Sequence, residues 1–402
     1  MSRLSTLARV LWSPSIRSAA VYAFTGVGFA GGNLLLAYRL PKLDYALLTL
    51  VVSLLFLAVP LAPLGLDGVI NRQLLHPSVK ILRYTLLVAV LTAVLSGVVA
   101  GVVYAIDLGM ILVIMIGVVA GGATIVAAAF YQRYHHFSRA LLLAQSSNLF
   151  FISASVLVFF NVFNAAIFPV AFIAVGFVIA AIFSWHRLLS VRERDEAQVQ
   201  NIWREAFHYM GVNAGGLVML QLERLMIPKV LSMADLATFG VLAALVIAPY
   251  RTLQMGVAFS VLPRLGRLGT RAARRRFILK EIIGLTVIVA VGSVLLFLLA
   301  PPLLIFLFEG KYDFPIEVIV AAIVTGAIRV LAGLAKGTAT AVCTTPQLAV
   351  LNGLIWMSVA IAIIGGIIGA RWGIAGLLYG VAVGSSVRIA VSAYASWPHI
   401  RP

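Results

Sequence analysis

Six ionisable side chains stand inside long apolar stretches of this chain: Glu223, Arg224, Arg251, Arg329, Lys336 and Arg388. Such a residue at the centre of a spanning helix costs about 2.5–3.5 kcal/mol, so it should face a partner or a polar cavity. Five of the six are cationic, and all lie in the second half of the chain. Arg329 and Lys336 are seven residues apart, a spacing that returns nearly to one helix face. A set of this sign suits an anion. Guanidinium holds phosphate oxygens by two parallel hydrogen bonds, and ammonium acts as a point charge. The competing reading is that side chains near helix ends reach back to the membrane interface. For Arg224 and Arg388 the two readings weigh equally. Arg251, Arg329 and Lys336 read as cavity-facing. Glu223 reads as an ion-pair partner for a neighbouring arginine, the alternative being proton exchange during a cycle.

The elements that position these residues follow from composition. Of 402 residues, 62% are hydrophobic and only 11% charged. So little polar surface cannot cover a water-soluble globule, and lipid must be the outer solvent. A span needs about 20 mostly apolar residues. Twelve candidates are found, at 18–38, 45–66, 82–106, 109–131, 139–161, 165–185, 206–228, 236–262, 282–307, 316–341, 348–370 and 374–395. The fold class is therefore all-α integral membrane. Residues 1–17 form a cytoplasmic N-terminal segment, either a short surface helix carrying Arg3 and Arg9 or a frayed leader. Spans 1–6 make an N-lobe over 18–186, and spans 7–12 a C-lobe over 206–402. Between them the polar run 187–205 is expected as a cytoplasmic amphipathic linker.

Orientation is read from lysine and arginine in the loops. One side carries Arg3, Arg9, Arg17, Arg72, Lys80, Arg83, Arg133, Arg139, Arg187, Arg192, Arg194 and Arg204. It also carries Arg264, Arg267, Arg271, Arg274, Arg275, Arg276, Lys280 and Arg401. The other side carries only Arg39, Lys42, Lys229, Lys311 and Arg371. Both termini are therefore expected in the cytoplasm, which an even number of spans requires. This placement explains the net charge of +17 without nucleic acid. The densest run, RLGTRAARRRF, reads as an anchor for anionic phospholipid.

The halves resemble each other. Gly26-Val27 and Ala30-Gly31-Gly32 match Gly211-Val212 and Ala214-Gly215-Gly216, and DYALLTLVVSL from Asp44 parallels DLATFGVLAAL from Asp235. Arg72 and Arg264 then close the second span of each half. The repeat is parallel, an arrangement common in transporters that bind substrate between halves. Glycine pairs four apart, such as Gly117/Gly121, Gly365/Gly369 and Gly380/Gly384, read as helix-packing positions.

These stretches resemble a family. LLLAYRLPKLDYALLTLV followed by PLGLDGVINRQL is similar to the first two spans of polysaccharide flippases of the multidrug/oligosaccharidyl-lipid/polysaccharide exporter superfamily. QLERLMIPKVLSMADLATFGVLAAL resembles that family's seventh span, AFSVLPRLGRL its end of span eight, and LFEGKYDFPIEVIVAAIV its outer loop before span ten. GIIGARWGIAGLLYGVAVG resembles its connection into span twelve. The resemblance implies two six-helix lobes around a central cavity. It implies a protein of the bacterial inner membrane that moves an undecaprenyl-pyrophosphate-linked oligosaccharide to the outer leaflet by alternating access. The partners implied are a polyprenyl-linked glycan and a polysaccharide polymerase. One departure is Glu223, where the family usually has Asp beside the arginine.

Enzyme chemistry is not supported. The chain has no GxxxxGK[ST] phosphate loop, and His135-His136 lack nearby carboxylates. The lone cysteine, Cys343, builds neither a disulfide nor a metal site, and no cofactor is expected. Three other readings remain: a multidrug/cation antiporter, a flippase for the peptidoglycan lipid precursor, and a membrane-embedded sugar transferase or polymerase. The first wants acidic cavity residues. The second normally carries more than twelve helices. The third needs a large outer loop or a catalytic acid.

Overall fold

The computed structural model describes residues 14–400 except 73–74, 135, 191–201, 255–256, 258–264, 266–267 and 269. The described residues are helical, joined by short turns, with no strand among them. In order they are α1 (Pro14–Arg39), α2 (Lys42–Leu61), α3 (Leu66–Arg72), α4 (Val79–Val98), α5 (Leu108–Arg133), α6 (Phe137–Ala144) and α7 (Ser146–Phe159). There follow α8 (Ile167–Ser190), α9 (Ile202–Val230), α10 (Met233–Leu242), α11 (Arg271–Phe308), α12 (Ile316–Val342), α13 (Thr345–Gly369) and α14 (Gly373–Ser396). Among the described residues, eight helical stretches are long and apolar enough to cross a membrane, nine counting the bent pair α6–α7. One of those stretches, Pro346–His399, holds both α13 and α14. Helices α1 and α9 occupy the expected first and seventh spans.

Local chemistry sets the ends. Asp107 starts α5 by accepting the Met110 N–H at 3.0 Å, so the connection out of α4 can be tight. Thr344 opens α13, its own N–H bonding Gln347 Oε1 at 2.9 Å. Asp235, the acid of the repeated motif, closes a reciprocal cap with Ser232 at the start of α10.

Two expected spans differ from the structure. Span two ends early. Helix α2 stops at Leu61, and the chain turns through Leu64 and Gly65, both at positive φ, before the short α3. Gly65 lies against the Ala206 carbonyl of α9, where a Cβ has no room. Span five is broken into α6 and α7, bent by 47°. The polar run Gln145-Ser146-Ser147-Asn148 explains the bend, because its side chains take local bonds: Ser146 Oγ donates to Leu143 O at 2.8 Å, and Asn148 donates to Gln145. The middle of the expected linker and the expected N-terminal surface segment up to residue 13 lie outside the described residues, as does most of the AFSVLPRLGRL stretch.

The chain divides into two compact units, Met1–Gly211 and Val212–Pro402, with the boundary inside α9. In the first, Gly117, Gly121 and Gly122 of α5 present bare backbone to Leu55 and Val59 of α2 and to Ala62 just past its end. Its core gathers Leu66, Val69, Ile70, Phe130 and Trp185, and the Trp185 indole donates to Ala123 O at 2.9 Å. In the second, α13 and α14 form a hairpin that crosses backbone to backbone at Gly365/Gly380 and Gly369/Gly376.

One bond recurs in each unit. Thr124 of α5 donates to the Phe177 carbonyl of α8 at 3.1 Å. Thr325 of α12 donates to the Leu378 carbonyl of α14 at 3.2 Å. Donor and acceptor are 53 residues apart in both cases. The fourth and sixth spans of each half are thus fastened at the same register.

Candidate functional site

The site is assembled by three helices of the second unit. Helix α9 presents Gly216, Met219 and Glu223 at spacings of three and four, which is one helix face. Helix α12 presents Arg329 and Lys336 to that face. The Arg329 guanidinium pairs with the Glu223 carboxylate and also donates to the Met219 carbonyl at 3.0 Å. One helical repeat further on, Lys336 reaches Gly216: a Cβ there would lie 3.0 Å from Lys336 Nζ. Helix α14 brings Arg388 to the same point, 3.2 Å from that Cβ position. A glycine at 216 is what lets both heads approach the backbone.

Burial makes the charges consequential. Glu223 is 1% exposed, Arg388 6% and Arg329 9%; Lys336 is half-buried. Glu223 is the one acid in the buried set of described residues, and Arg329 takes it. Arg388 feels the charge of Arg329, and Lys336 that of Arg388. The cluster therefore holds three basic side chains against one carboxylate. Arg388 Nε has no hydrogen-bond partner.

The six residues named from sequence do not form one set. Glu223, Arg329, Lys336 and Arg388 come together. Arg224 and Arg251 are half-buried, and both have interactions of their own. Sequence reasoning treated Gly216 only as part of a repeat and missed the buried polar groups Gln221, Thr338 and Ser392. Ser392 sits one turn beyond Arg388 on α14, a spacing that would have flagged it.

The second unit has another concavity, an open furrow between α13 and α14 lined by Gly365, Ile368, Trp372, Gly376 and Tyr379, with Glu317. Its lining is apolar and its one charge is negative, the wrong sign for a phosphate.

Order and number of helices define a polytopic, all-helical membrane protein built as two compact units. Neither protein-family models nor curated protein sequences give a match. Solved structures do. The chain is similar to a multidrug resistance MATE family transporter of the MOP superfamily in an inward-facing conformation, with a TM-score of 0.60 and 12% identity over 95% of this chain and 94% of that one. It is also similar to the lipid II flippase MurJ in an inward closed conformation, with a TM-score of 0.68 and 11% identity over 94% of this chain and 86% of that one. The chain thus has the fold that these MOP-superfamily transporters share.

Proposed function

We propose that this protein is a flippase that carries an anionic, lipid-linked oligosaccharide, of the undecaprenyl-pyrophosphate class, from the cytoplasmic to the outer leaflet of a bacterial inner membrane by alternating access. The observation that carries the reading is the charge of the cluster: three basic side chains, one carboxylate, all within the membrane-spanning helices of the second unit. A pyrophosphate head has the complementary sign. Lys336, the more accessible cation, and Arg388 behind it supply the contacts to phosphate oxygens. Arg224 and Arg251 add positive charge along the cargo's route. Glu223 holds Arg329 in place and keeps the cluster from carrying a third uncompensated charge.

A cation antiporter is the reading this chemistry disfavours. It needs a free carboxylate at the site, and Glu223 is engaged by Arg329. The family resemblance in the sequence favours polysaccharide cargo, with a polymerase as downstream partner. Anionic phospholipid is the second partner. Helix α11 has 38 residues, about 57 Å long at 1.5 Å per residue, against a hydrocarbon core of about 30 Å. Its exposed Arg271, Arg275, Arg276 and Lys280 lie in its first turns, where headgroups would meet them.

Complementation tests the proposal. In a host lacking its own polysaccharide flippase, the protein restores surface glycan, and Lys336→Ala or Arg388→Ala at equal protein level strands the lipid-linked intermediate in the cytoplasmic leaflet. An intermediate that crosses normally in its absence, with only drug resistance lost, would return the antiporter reading.

A further inference from the structure

With Lys336 and Arg388 both protonated, the cluster at Gly216 holds more positive charge than its side chains balance. Lys336 Nζ and Arg388 Nη2 lie 3.0 and 3.2 Å from one point, so the two heads are within about 6 Å of each other. Like charges this close repel strongly where water is scarce. Arg329 stands in range as a third cation, and its carboxylate partner is already committed. A buried charge is tolerated only when paired.

The surroundings supply donors. Arg388 Nε–H is unpartnered at a residue 6% exposed. Ser392, one turn along the same helix, has a fully buried hydroxyl without a partner. An N–H and an O–H group with no acceptor, on the helix that carries Arg388, are the inverse of a cation site. Gln221 Oε1 is also unpartnered, but it is an acceptor and does not belong to this set. The size is limited too. Gly216 and Arg388 are buried and Lys336 is half-buried, so with no cargo at the site a monatomic ion suits the space between the heads.

We infer that the second unit binds a small inorganic anion, of the size and charge of chloride, between Lys336 and Arg388 over Gly216. The inference rests on the same two cations as the proposed cargo contact and deepens that reading: the anion neutralises the pair when no pyrophosphate is present. Exchange of one anion for the other then keeps the cluster's charge balanced through a cycle.

The test uses purified full-length protein in detergent and radiolabelled chloride, with no transport step. Wild type is expected to bind chloride saturably, and to unfold at higher temperature in sodium chloride than in sodium gluconate at the same ionic strength. The double variant Lys336→Met/Arg388→Met is expected to bind at least about tenfold more weakly. It should lose the chloride dependence while remaining folded, because replacing both cations removes the need for the ion. Gly216→Leu, which fills the approach, should likewise lose binding, whereas Arg271→Gln on α11 should keep it. Equal unfolding temperatures in the two salts with no saturable binding would overturn the inference, and so would binding that survives in the double variant. The flippase reading is judged separately by the stranded intermediate, so either can fail while the other stands.

Discussion

At the scale of the residue, the pair Glu223–Arg329 decides whether the second unit can fold with its cations buried. The carboxylate is 1% exposed and the guanidinium's second contact is a backbone carbonyl, so neither head has water to fall back on. Removing one partner of such a pair costs about 3–5 kcal/mol, whereas replacing both with apolar groups is often neutral. Glu223→Ala is therefore expected to lower the unfolding temperature sharply, and Glu223→Leu combined with Arg329→Met to recover most of it. A double-mutant cycle in detergent measures both. An additive result would mean that the two residues do not support each other. A different carboxyl governs pH. Burial pushes Asp67, on α3, above its ordinary value of 3.8, against the lowering effect of its bonds from the Gly68 and Asp67 N–H groups. A raised folded-state value means that this group's stabilising contribution is full below 3.8 and lost as pH rises through the raised value. Asp67→Asn should then raise the unfolding temperature near pH 7 and change it little at the acid end of the folded range. The sequence showed that Arg329 and Lys336 share a face, because seven residues make two turns. It did not show that Arg388 joins them, since that depends on the register of α14 along α12, which no single helix encodes.

At the scale of the element, the hairpin α13–α14 shows how two largely apolar spans find one fixed partner. Lipid tails are as apolar as the helices, so association rests on close packing. Here the two backbones touch: a Cβ on Gly365 would sit 2.6 Å from Gly380 O, and one on Gly384 2.6 Å from Ser358 O. Gly380→Ala is expected to force the helices apart and cost about 1–3 kcal/mol or more. The readout is the half-life of folded protein in detergent, with Gly353→Ala as the comparison, because nothing lies near a Cβ at Gly353. Equal half-lives would mean that the crossing tolerates a methyl group and is not what fixes the hairpin. Such spans are legible from composition, apart from the end of span two, the break in span five and the end of span eight, which lies outside the described residues. The bend between α6 and α7 was not legible, because hydropathy averages over the Gln145–Asn148 run that causes it. The end of α2 was misplaced for a related reason: Leu64 and Leu66 extend the apolar stretch across a turn that Gly65 makes.

At the scale of the whole molecule, the direction of the proposed transport follows from which face of the membrane holds which loop. The bonds from Thr124 to Phe177 and from Thr325 to Leu378 fasten corresponding spans of the two halves in the same register. With that offset of 201 residues, Arg388 corresponds to Arg187 near the end of α8. Arg187 is exposed and Arg388 is buried. The halves thus share a frame and differ in the charges placed inside it, which is how a repeated scaffold comes to have its candidate anion site on one side only. The lysine and arginine asymmetry predicts the α11 start on the cytoplasmic face and the turn around Lys311 on the outer one. Cys343, the sole cysteine, is half-buried, and burial raises its thiol pKa, so it reacts slowly and can be replaced by Ser as a background. On that background, Lys311→Cys is expected to react with a membrane-impermeant maleimide in intact spheroplasts, and Arg275→Cys only after the membrane is opened. The opposite pattern would invert every loop. Lipid-linked intermediates are loaded where they are made, so an inverted protein would present its basic face to the wrong leaflet, and outward carriage of a cytoplasmic cargo would have to be abandoned even with the cation cluster intact.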